Sequence, residues 1–279
     1  MLVRMFFSRK TLAACDDQAF ARPSFDIKPS TVPAVSHTIN ADQSGWYPPV
    51  MVGAESVRAR LFGRGYIDTA ISLMRRLTPD VYTSFLLDYY ADGLRRFGST
   101  WFYADIVTVL LCLADLLEPR TYLEIGVRRG RSVAAVASIR SECKLVMFDM
   151  WVSNYAGMEN PGPEFVRQEL GRIGHRGPIM FVNGDSHETL PAYFRENPDA
   201  TFDLVTVDGD HSPEGAASDL CDALPRLNVG GAVVFDDVCH PLHPELARVW
   251  NQLVVSDARF SSMTYTDAGY GVGFAIRKF

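Results

Sequence analysis

From Thr121 onward, short apolar runs alternate with amphipathic stretches, and this alternation restricts the fold more than any other feature of the chain. The runs 122–125, 144–148, 179–182, 202–207 and 231–235 have the length and composition of strands. The stretches 131–139, 163–173, 186–196, 213–227 and 244–254 follow them with apolar residues at helical spacing. Strand and helix in succession predict a mostly parallel sheet with helices on both faces. The final runs, 260–265 and 271–277, flank a turn containing Asp267-Ala268-Gly269 and predict an antiparallel hairpin. The expected fold is α/β: a doubly wound, mostly parallel seven-stranded sheet with an antiparallel C-terminal hairpin and an N-terminal helical extension.

That extension is read in two parts. Helical spacing recurs over 54–62, 66–77, 79–97 and 103–117. Within it, 106–117 is strongly apolar but too short to span a bilayer, and reads as a buried helix. Residues 1–45 contain Pro23, Pro29 and Pro33 and no sustained period. The expected organisation is a flexible or oligomer-contacting arm over 1–45, a helical region over 46–118 and a ligand-binding domain over 119–279. A chain of 279 residues with 47% hydrophobic and 22% charged residues belongs with globular proteins, not disordered or multi-span membrane ones. A net charge of -6 with no basic stripe argues against nucleic acid as a partner. Arg4, Arg9 and Lys10 interrupt the apolar start before a secretory core forms. Five widely spaced cysteines without a CxxC argue against a disulfide framework and for a reducing compartment. The expectation is a cytoplasmic protein, homo-oligomeric, with a small-molecule substrate and no membrane or nucleic-acid partner.

In open α/β sheets ligands bind beyond the carboxyl ends of the strands, so the residues there are the candidates. The first strand runs into Glu124-Ile125-Gly126-Val127-Arg128-Arg129-Gly130. Gly126 and Gly130 allow a sharp turn and a close approach of backbone to ligand. The missing third glycine of G-x-G-x-x-G favours a nucleoside-type ligand over a dinucleotide. Asp149 ends the second strand, 25 residues beyond Glu124; it reads either as an acceptor for ribose hydroxyls or as a solvated strand-end acid. Asp185 and Ser186 follow the third strand, and read either as a helix N-cap or as the adenine-contacting pair. Asp208-Gly209-Asp210-His211 follows the fourth strand and Asp236-Asp237 the fifth. Neighbouring strands lie about 4.8 Å apart, so these acids crowd one edge. Like charges there raise one another's pKa unless a cation compensates. A hard divalent ion on Asp208, Asp236 and Asp237 would supply that cation; the alternative is a cap and exposed acids pointing apart.

These motifs, together with Gly230-Gly231-Ala232-Val233-Val234-Phe235-Asp236-Asp237, resemble the class I S-adenosylmethionine-dependent methyltransferases over about residues 120–279. The branch they resemble is that of macrocin and sugar O-methyltransferases, with cephalosporin-hydroxylase-like relatives. The resemblance implies a Rossmann-like methyltransferase domain and S-adenosylmethionine as cofactor. It assigns Glu124, Gly126 and Gly130 to the methionine end, Asp149 to the ribose, and Asp185 with Ser186 to the adenine, with Asp208 also bordering the cofactor. It further implies Mg2+ or another divalent cation on Asp208, Asp236 and Asp237, and a base at His211 or Asp210. The stretch 150–154 departs from the branch's phenylalanine-glutamate-glycine pattern. The expected activity is methyl transfer to a hydroxyl of a sugar or natural-product scaffold, with a metal-independent methyltransferase and a non-catalytic assembly module as alternatives.

Overall fold

The structure is a computed structural model that describes residues 49–63, 65–154, 157 and 159–279. The arm expected over 1–45 lies outside the described residues. Four helices come first: α1 (Ala54–Gly63), α2 (Tyr66–Met74), α3 (Val81–Phe97) and α4 (Ile106–Leu117). The α/β region follows with β1 (Thr121–Ile125), α5 (Arg131–Ile139), β2 (Lys144–Asp149), α6 (Pro163–Arg172), β3 (Ile179–Asn183) and α7 (Ser186–Glu196). It continues with β4 (Phe202–Val207), α8 (Pro213–Ala223), β5 (Leu227–Asp236), α9 (Leu246–Trp250), β6 (Phe260–Tyr265) and β7 (Val272–Arg277).

Among the described residues, seven strands form one sheet in the order β3-β2-β1-β4-β5-β7-β6. β1 to β5 run parallel, and β7 is antiparallel to both β5 and β6. The α/β fold expected from the alternation is therefore the fold observed, including the closing hairpin. β5 begins earlier than its apolar run implied. The β4–β5 register shifts between Phe202 and Leu204, where Gly230 has φ 81° and a Cβ on Gly231 would stand 2.7 Å from the Asp203 carbonyl oxygen. Only glycines let the strand kink and still pair there.

Alternation along the strands builds two cores. Tyr122, Leu145, Met147, Leu204, Val234 and Phe274 point to one face, under α2, α4 and α5. Leu123, Ile125, Phe148, Val205, Val207 and Phe235 point to the other, under α7, α8 and α9. Helix α4 is the inner N-terminal element: Val109 through Ala114 are fully buried, and Asp105 with Thr108 closes a reciprocal capping box at its start. One hydrophobic core thus joins the helical region to the sheet across the boundary at 118/119.

Asp80 secures α3 to the strand-end face. Its carboxylate caps the helix through Thr83 N at 2.7 Å and pairs with Arg131 and Arg129 in the turn after β1. Burial raises its pKa, but hydrogen bonds from Arg131 and Thr83 outweigh burial and bring it down to about 2. No described helix is long and apolar enough to cross a membrane.

Candidate active site

Register places the strand ends side by side. Ile125 pairs with Phe148 and with Val207, and Val207 pairs with Phe235. The chain moves outward from β1 to β3, then returns to set β4 against the other side of β1. That reversal opens a crevice at the carboxyl edge. A cavity of about 290 Å³ lies there, between the turns after β1, β2, β3 and β4.

Gly126 lets the crevice form. It has φ 87°, and a Cβ on it would lie 1.8 Å from the Asp208 carbonyl oxygen. Its N–H donates to the Phe148 carbonyl and Asp208 N–H donates to the Ile125 carbonyl, tying the three strand ends together. Three non-glycine residues around the crevice also have positive φ: Arg128 (52°), Trp151 (54°) and Asp237 (57°). Such strain concentrates at functional sites because the surrounding structure must hold it in place.

Of the residues singled out from the sequence, Gly126, Asp149, Asp185, Ser186, Asp208, Asp210 and His211 line the cavity. Glu124 and Gly130 are not among its lining residues. Alternation sends Glu124 to the face covered by α5, where it is wholly buried. There it accepts hydrogen bonds from the hydroxyls of Tyr122 and Ser132. Burial, reinforced by Asp208 and Asp149, pushes its pKa up to about 8, although those two hydroxyls pull it down. Gly130 is the left-handed residue at the start of α5, packed against Val166.

Asp149 borders the cavity, but four donors of this chain surround its carboxylate. Oδ2 accepts from the N–H groups of Val127 and Arg128 at 2.8 and 2.7 Å. Oδ1 accepts from Trp151 N–H at 2.5 Å and from Asn160 Nδ2 at 3.3 Å. The longest of these contacts is the one to Asn160. Asp185 caps α7 through His187 N–H at 3.0 Å, the helix-cap reading, and also lines the cavity.

Asp210 is held locally, and this separates it from His211 as a base. Its two oxygens accept from Ser212 N and Ser212 Oγ, at 2.8 and 2.9 Å, in the turn that opens α8. His211 Nε2 instead lies 3.5 Å from Asp208 Oδ1 and 3.5 Å from Asp237 Oδ2, and makes no hydrogen bond in the structure. Asp208 raises the His211 pKa, more than burial lowers it, and Asp237 adds to the rise. Burial and then Asp208 push Asp237 up to about 6. Burial, Asp208 and Asp237 push Asp236 well above the carboxylate range.

The crowding of acids foreseen at this edge is present: burial and its two neighbours raise the Asp236 pKa, and the imidazole of His211 stands 3.5 Å from both Asp208 and Asp237. Among the described residues no three His, Cys, Asp or Glu side chains are placed to hold a metal ion.

Sequence reading missed several residues. Arg128, Met150, Val152, Asn160 and His187 line the cavity. His240 and His243 line up beside His211: the His243 ring lies 5.3 Å from that of His211 and tilted to it, His240 lies 5.0 Å from His243, and Tyr270 lies 4.3 Å from His240. The run Cys239-His240-Pro241-Leu242-His243 next to an acidic pair was the available signal.

Residues 123–238 match the family model described as a methyltransferase domain. The match runs from β1 to the end of β5 and leaves out the closing hairpin of β6 and β7. Among solved structures the chain is similar to CalS11, a calicheamicin methyltransferase, at 20% identity, covering 86% of this chain and 99% of that one with a TM-score of 0.50. It is similar to an O-methyltransferase from Bacillus cereus in complex with SAH, at 18% identity, covering 76% and 100% with a TM-score of 0.51. It is also similar to the O-methyltransferase TomG from Streptomyces achromogenes, involved in tomaymycin synthesis and in complex with SAM, at 24% identity, covering 74% and 98% with a TM-score of 0.50. At these identities the likeness establishes the fold. No match is found among curated proteins.

The cavity lining fits S-adenosylmethionine in chemistry: Phe148, Met150 and Val152 offer apolar wall, and Arg128, Asp185, Ser186 and Asp208 offer polar groups. The Oδ1 atom of Asn160 is buried there without a partner, as is expected where a polar ligand completes the set.

Proposed function

We propose that the chain is an S-adenosylmethionine-dependent O-methyltransferase that methylates a hydroxyl of a small sugar-like or natural-product acceptor, with His211 as general base. The observation that carries this reading is the placement of His211 Nε2 at 3.5 Å from both Asp208 and Asp237, on the border of the cofactor cavity. The cofactor, when bound, supplies a methyl group already activated on a sulfonium. The protein's task is then to raise the nucleophilicity of an alcohol and align it. The Nε2 atom of His211 removes the hydroxyl proton, and the two flanking carboxylates stabilise the imidazolium that results. Asp210 holds the turn that presents His211. Gly126 brings the β1 and β4 ends close enough for cofactor and base to share one crevice.

The O-methyltransferases among the similar structures support an oxygen acceptor. Every step of this reading is carried by the chain's own residues. The test is methyl transfer from labelled S-adenosylmethionine to a panel of hydroxylated acceptors. His211→Gln lowers kcat by about 100-fold or more, with S-adenosylhomocysteine affinity within about threefold of wild type, and turnover survives EDTA. An unchanged kcat in His211→Gln removes the base assignment, and loss of turnover in EDTA restores the divalent ion.

A further inference from the structure

Arg128 is the residue of the cavity wall whose chemistry the proposed reaction leaves unused. It sits in the turn after β1, two residues beyond Gly126, in a left-handed backbone conformation with φ 52°. That conformation costs an arginine about 1–2 kcal/mol and costs glycine almost nothing. Its guanidinium Nε and Nη2, the pair of donors that forms the side-on fork, are shielded from solvent and have no hydrogen-bond partner. Its neighbours are occupied otherwise: Arg131 and Arg129 both pair with Asp80, and Arg129 also pairs with Glu159. Asp149 receives the Arg128 backbone N–H, not its side chain. Burial and the nearby Arg131 weaken its hold on its proton, while Asp208, Tyr82 and Asp80 oppose them. A buried, unpaired charged donor is expensive, and so is strain at the same residue. Asp208, Tyr82 and Asp80 offset part of that cost through charge, but no hydrogen bond within the described residues satisfies Nε or Nη2.

We propose that the Nε/Nη2 edge of Arg128 is an oxyanion-recognition element that takes a carboxylate or phosphate entering the cavity. Resting on the methyltransferase reading, this extends it to a group that nothing above assigns. Planar two-oxygen anions match that fork in geometry and charge. Two sources carry the chemistry: the α-carboxylate of the cofactor, and an acidic group on the acceptor. Arg128 lines the same cavity as Asp208 and His211, so a ligand entering that cavity from either source comes within its reach.

Titration calorimetry on the full chain separates the sources. S-adenosylhomocysteine carries the carboxylate and methylthioadenosine lacks it. If the cofactor is the source, Arg128→Gln weakens S-adenosylhomocysteine binding by about tenfold to a hundredfold and leaves methylthioadenosine within about twofold. If the acceptor is the source, both nucleosides bind as in wild type, and Arg128→Gln abolishes the binding of inorganic phosphate or pyrophosphate to protein saturated with S-adenosylhomocysteine. Equal loss for both nucleosides, or no change in any arm, overturns the proposal. Arg128→Gly, which relaxes the backbone, gives a thermal midpoint no lower than wild type with the same binding defect; a lower midpoint with intact binding makes Arg128 structural and overturns it. Wild-type protein that fails to bind S-adenosylhomocysteine refutes the methyltransferase reading; titration of the unliganded protein with inorganic phosphate then decides the role of Arg128, binding lost in Arg128→Gln supporting it and binding that is absent or unchanged overturning it.

Discussion

Replacing Glu124 with glutamine tests whether this acid serves the cofactor or the fold. Its side chain has no exposed surface and touches the hydroxyls of Tyr122 and Ser132. Its pKa moves from the usual 4.5 to about 8. A carboxyl with a raised pKa contributes stability that is complete below the unfolded value and is lost as pH rises through the folded value. Between about pH 5 and pH 8 the folded protein holds this proton and the unfolded chain does not. At about 1.4 kcal/mol per pH unit, the wild type loses about 4 kcal/mol from this residue over that window. Glu124→Gln keeps the shape, has no proton to lose, and lacks that slope. Urea unfolding at several pH values between these limits measures it: the stability difference between variant and wild type should grow by about 4 kcal/mol in the variant's favour. S-adenosylhomocysteine affinity should stay within about threefold of wild type, because Glu124 does not reach the cavity. Parallel stability curves would mean that the acid is ionised in the folded protein. A large loss of affinity would return it to the cofactor's surroundings. Either result refutes the reasoning.

Gly126→Ala adds a methyl group 1.8 Å from the Asp208 carbonyl oxygen at φ 87°; it should cost more than about 2 kcal/mol and abolish S-adenosylhomocysteine binding, measured by urea unfolding and calorimetry. The acid limb of kcat/KM against pH should lie above the ordinary histidine value of about 6.5, because His211 loses its function as a base on protonation and Asp208 and Asp237 raise its pKa. Asp237→Asn removes one of those charges and should move that limb down by about 1 pH unit; a limb that stays in place would exclude His211 as the titrating base.

Much of this architecture was legible in the chain because it depends on short-range periodicity. The alternation of runs implied the parallel sheet, and the glycines after β1 implied a sharp turn. The acids at the strand ends could be named from sequence because each simply follows a strand. Sequence spacing does not say which way a strand-end side chain points. Glu124, level with Met147, has the same local chemistry and pleat face as Asp149, yet it sits inside the sheet under α5 while Asp149, two residues further out, reaches the edge and borders the cavity. Spacing also treats Asp208, Asp236 and Asp237 as a bare cluster, since the imidazole between two of them arrives from a turn three residues past Asp208.

The residues determined the order of elements, the face each strand buries and the edge where chemistry gathers, because each follows from the period of neighbouring side chains. Only tertiary structure decided that Glu124 is sealed away, that Asp149 is surrounded by four donors, that His211 stands between Asp208 and Asp237, and that Nε and Nη2 of Arg128 are left without a hydrogen bond. Those outcomes depend on which long-range neighbours satisfy each polar atom, and on the burial that sets its charge; neither is encoded in any local stretch of the chain.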